Sequence, residues 1–208
     1  MKLNSKRTIL VGLAFLSICA FWQMYDSIVP LILTKTFHMN ETFSGAIMAA
    51  DNILALFLLP FFGSVSDKSH TKIGKRMPFI LFGTGCAIIL MNILPLLDNS
   101  YAAQPSGFKT ASFVIVLGLL LVAMGTYRAP AVALMPDVTP KPLRSRANAI
   151  INLMGAVGGI LYLGVAAVLY PNSKTAGVEH VNYQPLFIVV SAIMFLAIAV
   201  LFLTIKEP

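Results

Sequence analysis

An all-α membrane protein of six spanning helices, both termini in the cytoplasm, is the fold class this sequence predicts, and three observations predict it. Of the 208 residues, 58% are hydrophobic and 11% charged, with a mean hydropathy of +0.84, against roughly 25% charged in an average soluble domain. The apolar residues collect into runs that each meet the ~20 residues a helix needs to cross a ~30 Å hydrocarbon core. The basic residues sort to one side of the alternating loops, as the positive-inside rule requires of cytoplasmic segments.

The runs lie at about 8–33, 43–63, 78–97, 111–135, 147–170 and 185–205. They are too long and too evenly apolar for the alternating ~10-residue strands of a membrane barrel. The first, though flanked by lysine, exceeds the ~7 to 15 residue core of a secretory signal and reads as the first spanning helix. With the N-terminus inside, Lys2, Lys6, Arg7, Lys68, Lys72, Lys75, Arg76, Lys141, Arg144, Arg146 and Lys206 are cytoplasmic, while Lys35, Lys109 and Lys174 are external. The net charge of +7 is thereby accounted for as topology, and no nucleic-acid partner is expected. The longer loops are 64–77 and 136–146 inside, 98–110 and 171–184 outside. No soluble domain interrupts the runs, so residues 1–208 form one bundle with the lipid bilayer as its surroundings and the cell membrane as its location.

Cys19 and Cys86 fall within apolar runs and read as small buried hydrophobes. His38, His70 and His180 lie in separate loops. No ligand cluster forms, so neither a metal nor a cofactor is expected. An enzyme is not expected either, because acids, histidines and nucleophiles do not converge.

Within the runs, Asp26, Asp51 and Arg128 are the ionisable residues, and a charge near a helix centre costs about 2.5 to 3.5 kcal/mol on insertion scales. Asp26 precedes Leu33 by 7 residues and Asp51 follows Phe43 by 8. At ~1.5 Å rise per residue both acids lie about 10 to 12 Å below the outer surface. They are the candidate proton carriers, with Asn52 beside Asp51. Trp22 and Gln23 stand one turn from Asp26 on the same face and suit a hydroxyl-rich ligand. Arg128, 7 residues before Met135, is placed about 10 to 11 Å from the inner surface, below the acids. Asn148 and Asn152, one turn apart on the fifth helix, are expected at its depth. Gly155, Gly158, Gly159 and Gly164 follow, as in small-xxx-small packing.

The most specific stretch is GSVSDKSHTKIGKRMPFI, residues 63–80. Its Gly63-x-x-x-Asp67 and Gly74-Lys75-Arg76 spacing resembles the loop signature of the major facilitator superfamily. The form ending in a basic pair, one residue and Pro-Phe is similar to the branch of sucrose and other disaccharide proton symporters, related to the glycoside-pentoside-hexuronide cation symporters. YRAPAVALMPDVTPKPLRSRANAIINLMG, residues 127–155, resembles the fourth-helix arginine of that branch with its following acid and basic loop. The resemblance implies one six-helix half of a two-half fold, here the N-terminal half, whose C-terminal partner half lies outside this chain. It implies proton-coupled sugar symport by alternating access. It assigns Gly63, Asp67, Gly74, Lys75 and Arg76 to a gating loop, with Asp137, Arg144 and Arg146 as a matching latch. It also implies sugar binding by Arg128, and the residues themselves add Trp22, Gln23, Asp26, Asn52 and Asn152 as further substrate-binding candidates. The chain departs from the branch at Leu117, where plant sucrose symporters carry an acid, and at Ala55 and Leu59, where melibiose-type relatives carry theirs. A truncated or partner-dependent structural or regulatory protein, and a facilitator for a non-sugar solute, remain the alternatives.

Overall fold

The ends of the helices are set by side chains that satisfy backbone groups a helix leaves unpaired. In the computed structural model, which describes residues 4–205, Asn4 Oδ1 accepts from the Arg7 amide at 3.1 Å and starts the first helix, Ser5–Leu31. Asn40 does the same for the second, Glu41–Lys68, accepting from the Thr42 amide at 3.0 Å. Pro78, in the first turn where its missing N–H costs nothing, opens the third, Met77–Ala103. The fourth is Gly107–Val138, the fifth Arg144–Leu169 after a 3₁₀ turn at Lys141–Leu143, and the sixth Gln184–Thr204 after a short turn at Asn172–Thr175. All six are long and apolar enough to cross a membrane. Lys2 and Lys206, counted above among the inner charges, lie outside the described residues.

Several helices run past the apolar runs that signalled them, because polar residues at the bilayer edge continue the hydrogen-bond ladder. Pro30 does not end the first helix: the chain passes into a π-helical turn, Ile32–Thr36, closed by the Phe37 amide on the Ile32 carbonyl at 3.1 Å. Thr34 Oγ1 donates to the Pro30 carbonyl at 2.8 Å, a side-chain substitute for ladder bonds disturbed around the proline. The third helix likewise continues through Pro95 and takes in Asp98.

Helix one is the hub, packed mainly against the fifth and sixth helices, while the fourth packs against the third and second and the third against the sixth. Its approach to the fifth is close because Gly155 and Gly158 are glycines. A Cβ at Gly158 would lie 2.1 Å from the Leu16 carbonyl oxygen, and one at Gly155 would lie 2.9 Å from Cys19 Sγ. Gly164 faces open space and has no such role. Phe21, Met24, Tyr25, Tyr127, Tyr162 and Phe187 fill the core. Across the junction with the fourth helix the Tyr127 hydroxyl bonds the Ala14 carbonyl at 2.9 Å and the Ser17 hydroxyl. The most apolar stretch of the second helix has no buried residue; Ile53, Leu56 and Phe57 point away from the bundle.

Candidate functional site

The polar residues of the first helix and the fourth-helix arginine meet. Trp22 packs edge-on to both Phe21 and Tyr25, each at 5.3 Å between ring centroids, which fixes the indole plane. Arg128 Cζ sits 5.5 Å from the centre of that indole, within the range of a cation–π contact. Trp22, Asp51 and Arg128, with Leu54, Leu58 and Gly125, line one cleft of about 20 Å³ between the first, second and fourth helices. That is room for a single water.

Arg128 thus shares a cleft with Asp51 although its Cα is expected below the acids. Rise along the helix locates a Cα, but side chains lean toward the N-terminus of their own helix. The fourth helix runs antiparallel to the first, so the long arginine stem reaches back toward the acids. No salt bridge forms between Arg128 and Asp26 or Asp51 among the described residues. Asp51 instead accepts from the Asn52 backbone amide at 2.6 Å and from Asn52 Nδ2 at 2.8 Å, so its neighbour orients the carboxylate. Asp26 and Gln23 are exposed, Asp51 half-buried. Asp26 lies close enough to Asp51 to feel its charge, and Tyr25 feels both. Asn152 is exposed, and among the described residues neither it nor Asn148 hydrogen-bonds Arg128, which lies over the Trp22 ring instead.

At the opposite end of these helices the Gly63–Arg76 loop is tied by one side chain. Arg76, 4% exposed, donates through Nε to Asp137 Oδ2 at 3.0 Å, through one terminal nitrogen to Ser66 Oγ at 2.6 Å and the Gly63 carbonyl at 3.3 Å, and through the other to Asp67. Lys75 Nζ lies 3.3 Å from the same Asp137 oxygen. Gly74 has φ of 112°, in the left-handed region that glycine occupies without strain, and this turn delivers Lys75 and Arg76 to the helix ends. The expected pairing of Asp137 with Arg144 and Arg146 is not what forms. Arg144 donates to the Pro136 carbonyl at 2.7 Å and the Thr139 carbonyl at 3.3 Å, serving the unpaired carbonyls at the end of the fourth helix. Asp137 is already held by Lys75 and Arg76, and among the described residues no ion pair joins it to Arg146.

One buried charge was not legible as such. Asp98, placed above in an outer loop, has no exposed surface. The signal was the absence of a helix stop between Leu97 and Gln104: Tyr101 continues the apolar face, and Pro95 sits within the helix.

The chain matches the model of the Major Facilitator Superfamily over residues 11–208. It is similar to sucrose transport protein SUC3 of Arabidopsis thaliana, 34% identical over 158 residues, covering 70% of this chain and 26% of that protein. It is also similar to sucrose transport protein SUT3 of Oryza sativa subsp. indica, 34% identical over 154 residues, 67% of this chain and 30% of the relative. Sucrose transport protein SUT1 of Oryza sativa subsp. japonica is 27% identical over 169 residues, 74% and 31%. The chain thus spans about a quarter to a third of the length of these curated relatives. With six helices able to cross a membrane and a family match over nearly its whole length, this chain belongs to the Major Facilitator Superfamily and is a multi-pass membrane protein.

Proposed function

We propose that residues 1–208 are the N-terminal six-helix half of a proton-coupled sugar symporter working by alternating access, with both described helix-bundle ends near residues 5 and 204 on the cytoplasmic side. The observation that carries this reading is the convergence of Trp22, Arg128 and Asp51 from three helices on one cleft, with Asp26 and Gln23 on the open face beside it. The cleft holds only a water, so the sugar lies against that face, its hydroxyls meeting Gln23, Asp26 and Asn52 and its ring the indole edge. A second six-helix bundle closes the other side of the cavity. The exposed apolar surface of the second and fifth helices, Leu56, Phe57, Leu153 and Ile160 among it, is divided between that bundle and lipid.

Coupling falls to Asp51 and Asp26. A carboxyl that is protonated in a closed, dry cavity and ionised in an open one carries a proton across while the sugar moves with it. The Arg76 junction supplies the second requirement, a set of charge contacts at helix ends that is made in one conformation and broken in the other. The test is uptake of labelled sucrose and a panel of other disaccharides by proteoliposomes holding the complete transporter, driven by an imposed pH gradient. Asp51→Asn and Asp26→Asn are each expected to abolish uphill accumulation while leaving counterflow exchange. Normal pH-driven accumulation in both variants overturns the assignment.

A further inference from the structure

We propose that Asp98 and His180 form a proton-binding site at the outer mouth of the bundle, separate from Asp26 and Asp51, whose occupancy clamps the 170–183 segment onto the first and third helices. "Outer" rests on the orientation proposed above; the pairing does not.

The geometry begins with an unpaired acid. Asp98 is fully buried and neither of its carboxylate oxygens has a hydrogen-bond partner. The Thr36 hydroxyl is within reach of both the Asp98 carboxylate and His180 Nδ1, the latter at 3.3 Å. His180 Nε2 stands 3.9 Å from Asp98 Oδ2 and 2.8 Å from Asn99 Oδ1. One imidazole on the segment between the fifth and sixth helices therefore touches the end of the first helix at Thr36 and the third helix at Asp98 and Asn99.

The surrounding bonds fix which nitrogen carries hydrogen. Asn182 Oδ1 accepts the Gln184 backbone amide at 2.9 Å, so it can only accept from Asn99, whose Nδ2 lies 2.9 Å away. Asn99 must then present its oxygen to His180. Nε2 faces that oxygen and the Asp98 carboxylate, both acceptors, and so bears a hydrogen in either charge state. Nδ1 faces a hydroxyl that can donate or accept, so it is free to gain or lose a proton without breaking a contact.

What changes with that proton is the charge beside Asp98. A neutral imidazole leaves a buried carboxylate with no counter-charge, which is costly. An imidazolium supplies one, so the closed arrangement holds one proton that His180 brings to the pair. Lifting the segment lets water reach Asp98 and lets the proton go. Closure takes up a proton, so it gains as pH falls and is lost as pH rises.

The proton has a route. His180 lines a cavity of about 670 Å³ at this end of the bundle, together with Thr36, Lys35, His38, Tyr101 and Glu179. These are the groups that face the pair from the first helix, the following turn, the third helix and the segment itself. Tyr183 at the start of the sixth helix feels the Asp98 charge, and Tyr170 at the end of the fifth feels Tyr183. Lys109 of the fourth helix is engaged by the Ser100 and Gln104 carbonyls, each at 2.8 Å. Lysine, glutamate and tyrosine side chains ordinarily keep one charge state between about pH 5.5 and 8.5, whereas histidine does not. His38 is therefore the control.

Hydrogen–deuterium exchange of the full chain in lipid nanodiscs, read by mass spectrometry and corrected for the intrinsic pH dependence of amide exchange, tests this. Expected is about tenfold stronger protection of the 170–183 segment near pH 5.5 than near pH 8.5, the sign that linkage of one proton gives. Asp98→Asn, with no charge to bury, keeps the segment protected at both pH values. His180→Gln lowers the protection at acid pH toward the alkaline level, and His38→Gln leaves the wild-type response. No pH response in the wild type, or the same tenfold response in Asp98→Asn, overturns the proposal. Should Asp98→Asn not fold, a wild-type response in His180→Gln, which alters a partly exposed side chain, overturns it equally. The measurement involves no transport and has one pH on both sides, so its failure is distinct from failure of the coupling assignment to Asp51 and Asp26.

Discussion

Replacing Arg76 with alanine tests whether the loop between the second and third helices is held by one residue or by the sum of its charges. The worth of each contact follows from burial. Asp67 is 57% exposed as a side chain and Asp137 22%, while Arg76 is 5% exposed. An ion pair to an acid as exposed as Asp67 contributes about 0 to 1 kcal/mol. Removing one partner of a fully buried pair costs about 3 to 5 kcal/mol, but Asp137 keeps Lys75 at 3.3 Å. The remaining losses are the bonds to buried Ser66 and the Gly63 carbonyl, at about 0.5 to 1.5 kcal/mol each, or more where the guanidinium charge assists. The balance for Arg76→Ala is about 2 to 3 kcal/mol, a factor of roughly 30 to 150 in an equilibrium constant. Thermal unfolding of the chain in detergent is expected to show a midpoint lower by about 4 to 12 °C. Arg76→Lys keeps the charge but not the planar fork, and is expected to fall between alanine and wild type. Asp67→Asn is expected to shift the midpoint by less than about 4 °C. An Asp67→Asn loss equal to that of Arg76→Ala, or an Arg76→Lys variant indistinguishable from wild type, refutes the reasoning that fork geometry in a buried site dominates.

Three further outcomes are expected. Gly158→Ala places a Cβ 2.1 Å from the Leu16 carbonyl oxygen, forces the first and fifth helices apart and costs about 1 to 3 kcal/mol, whereas Gly164→Ala, facing open space, leaves the unfolding midpoint unchanged. Tyr127→Phe removes a buried hydroxyl, but Ser17 keeps its own bond to the Ala14 carbonyl at 2.9 Å, so the loss is held to about 1 kcal/mol in the same unfolding assay. Trp22→Leu removes the cation–π platform under Arg128, worth about 0.5 to 2 kcal/mol; in the complete transporter the half-saturating sugar concentration rises about 2- to 30-fold, with Trp22→Phe intermediate.

What was legible in the sequence was whatever depends on the bilayer. Six helices follow from run length, because lipid offers the backbone no partner other than itself, and the loop signature located Gly74, Lys75 and Arg76 because a left-handed glycine turn leaves a mark in one dimension. Three-dimensional choices were not legible. Asp137 pairs with Lys75 and Arg76 rather than with the nearer-in-sequence Arg144, because the carbonyls left by the fourth helix compete for Arg144. Arg128 reaches Trp22 because its stem leans opposite to the direction in which residues are counted. Asp98 is buried because a segment some eighty residues later folds over it: the continuation of the helix past Leu97 was readable locally, that cover was not.

The cleft at Trp22 also explains a feature that burial alone makes costly. Trp22 Nε1 and the Tyr25 hydroxyl are both buried without a hydrogen-bond partner, and an unmade bond of this kind costs about 1 to 3 kcal/mol. The two side chains are one edge-to-face pair next to Asp26 on the first helix. Neither ring is free to turn toward water: Tyr25 is also stacked on Phe21 at 6.1 Å, and the indole lies under Arg128. Donors buried without acceptors, beside two carboxylates and sealed from the open face, are poorly arranged for stability. Under the proposed function they suit a conformation in which the bundle opens at this edge and sugar hydroxyls accept from them, because binding then recovers a cost the closed bundle already carries. Under the proposed function this gives the sugar a specificity term independent of the proton. Tyr25→Phe, which deletes one of the two unmatched donors, stabilises the unliganded bundle while weakening sugar affinity. A structural role alone predicts that both effects have the same sign.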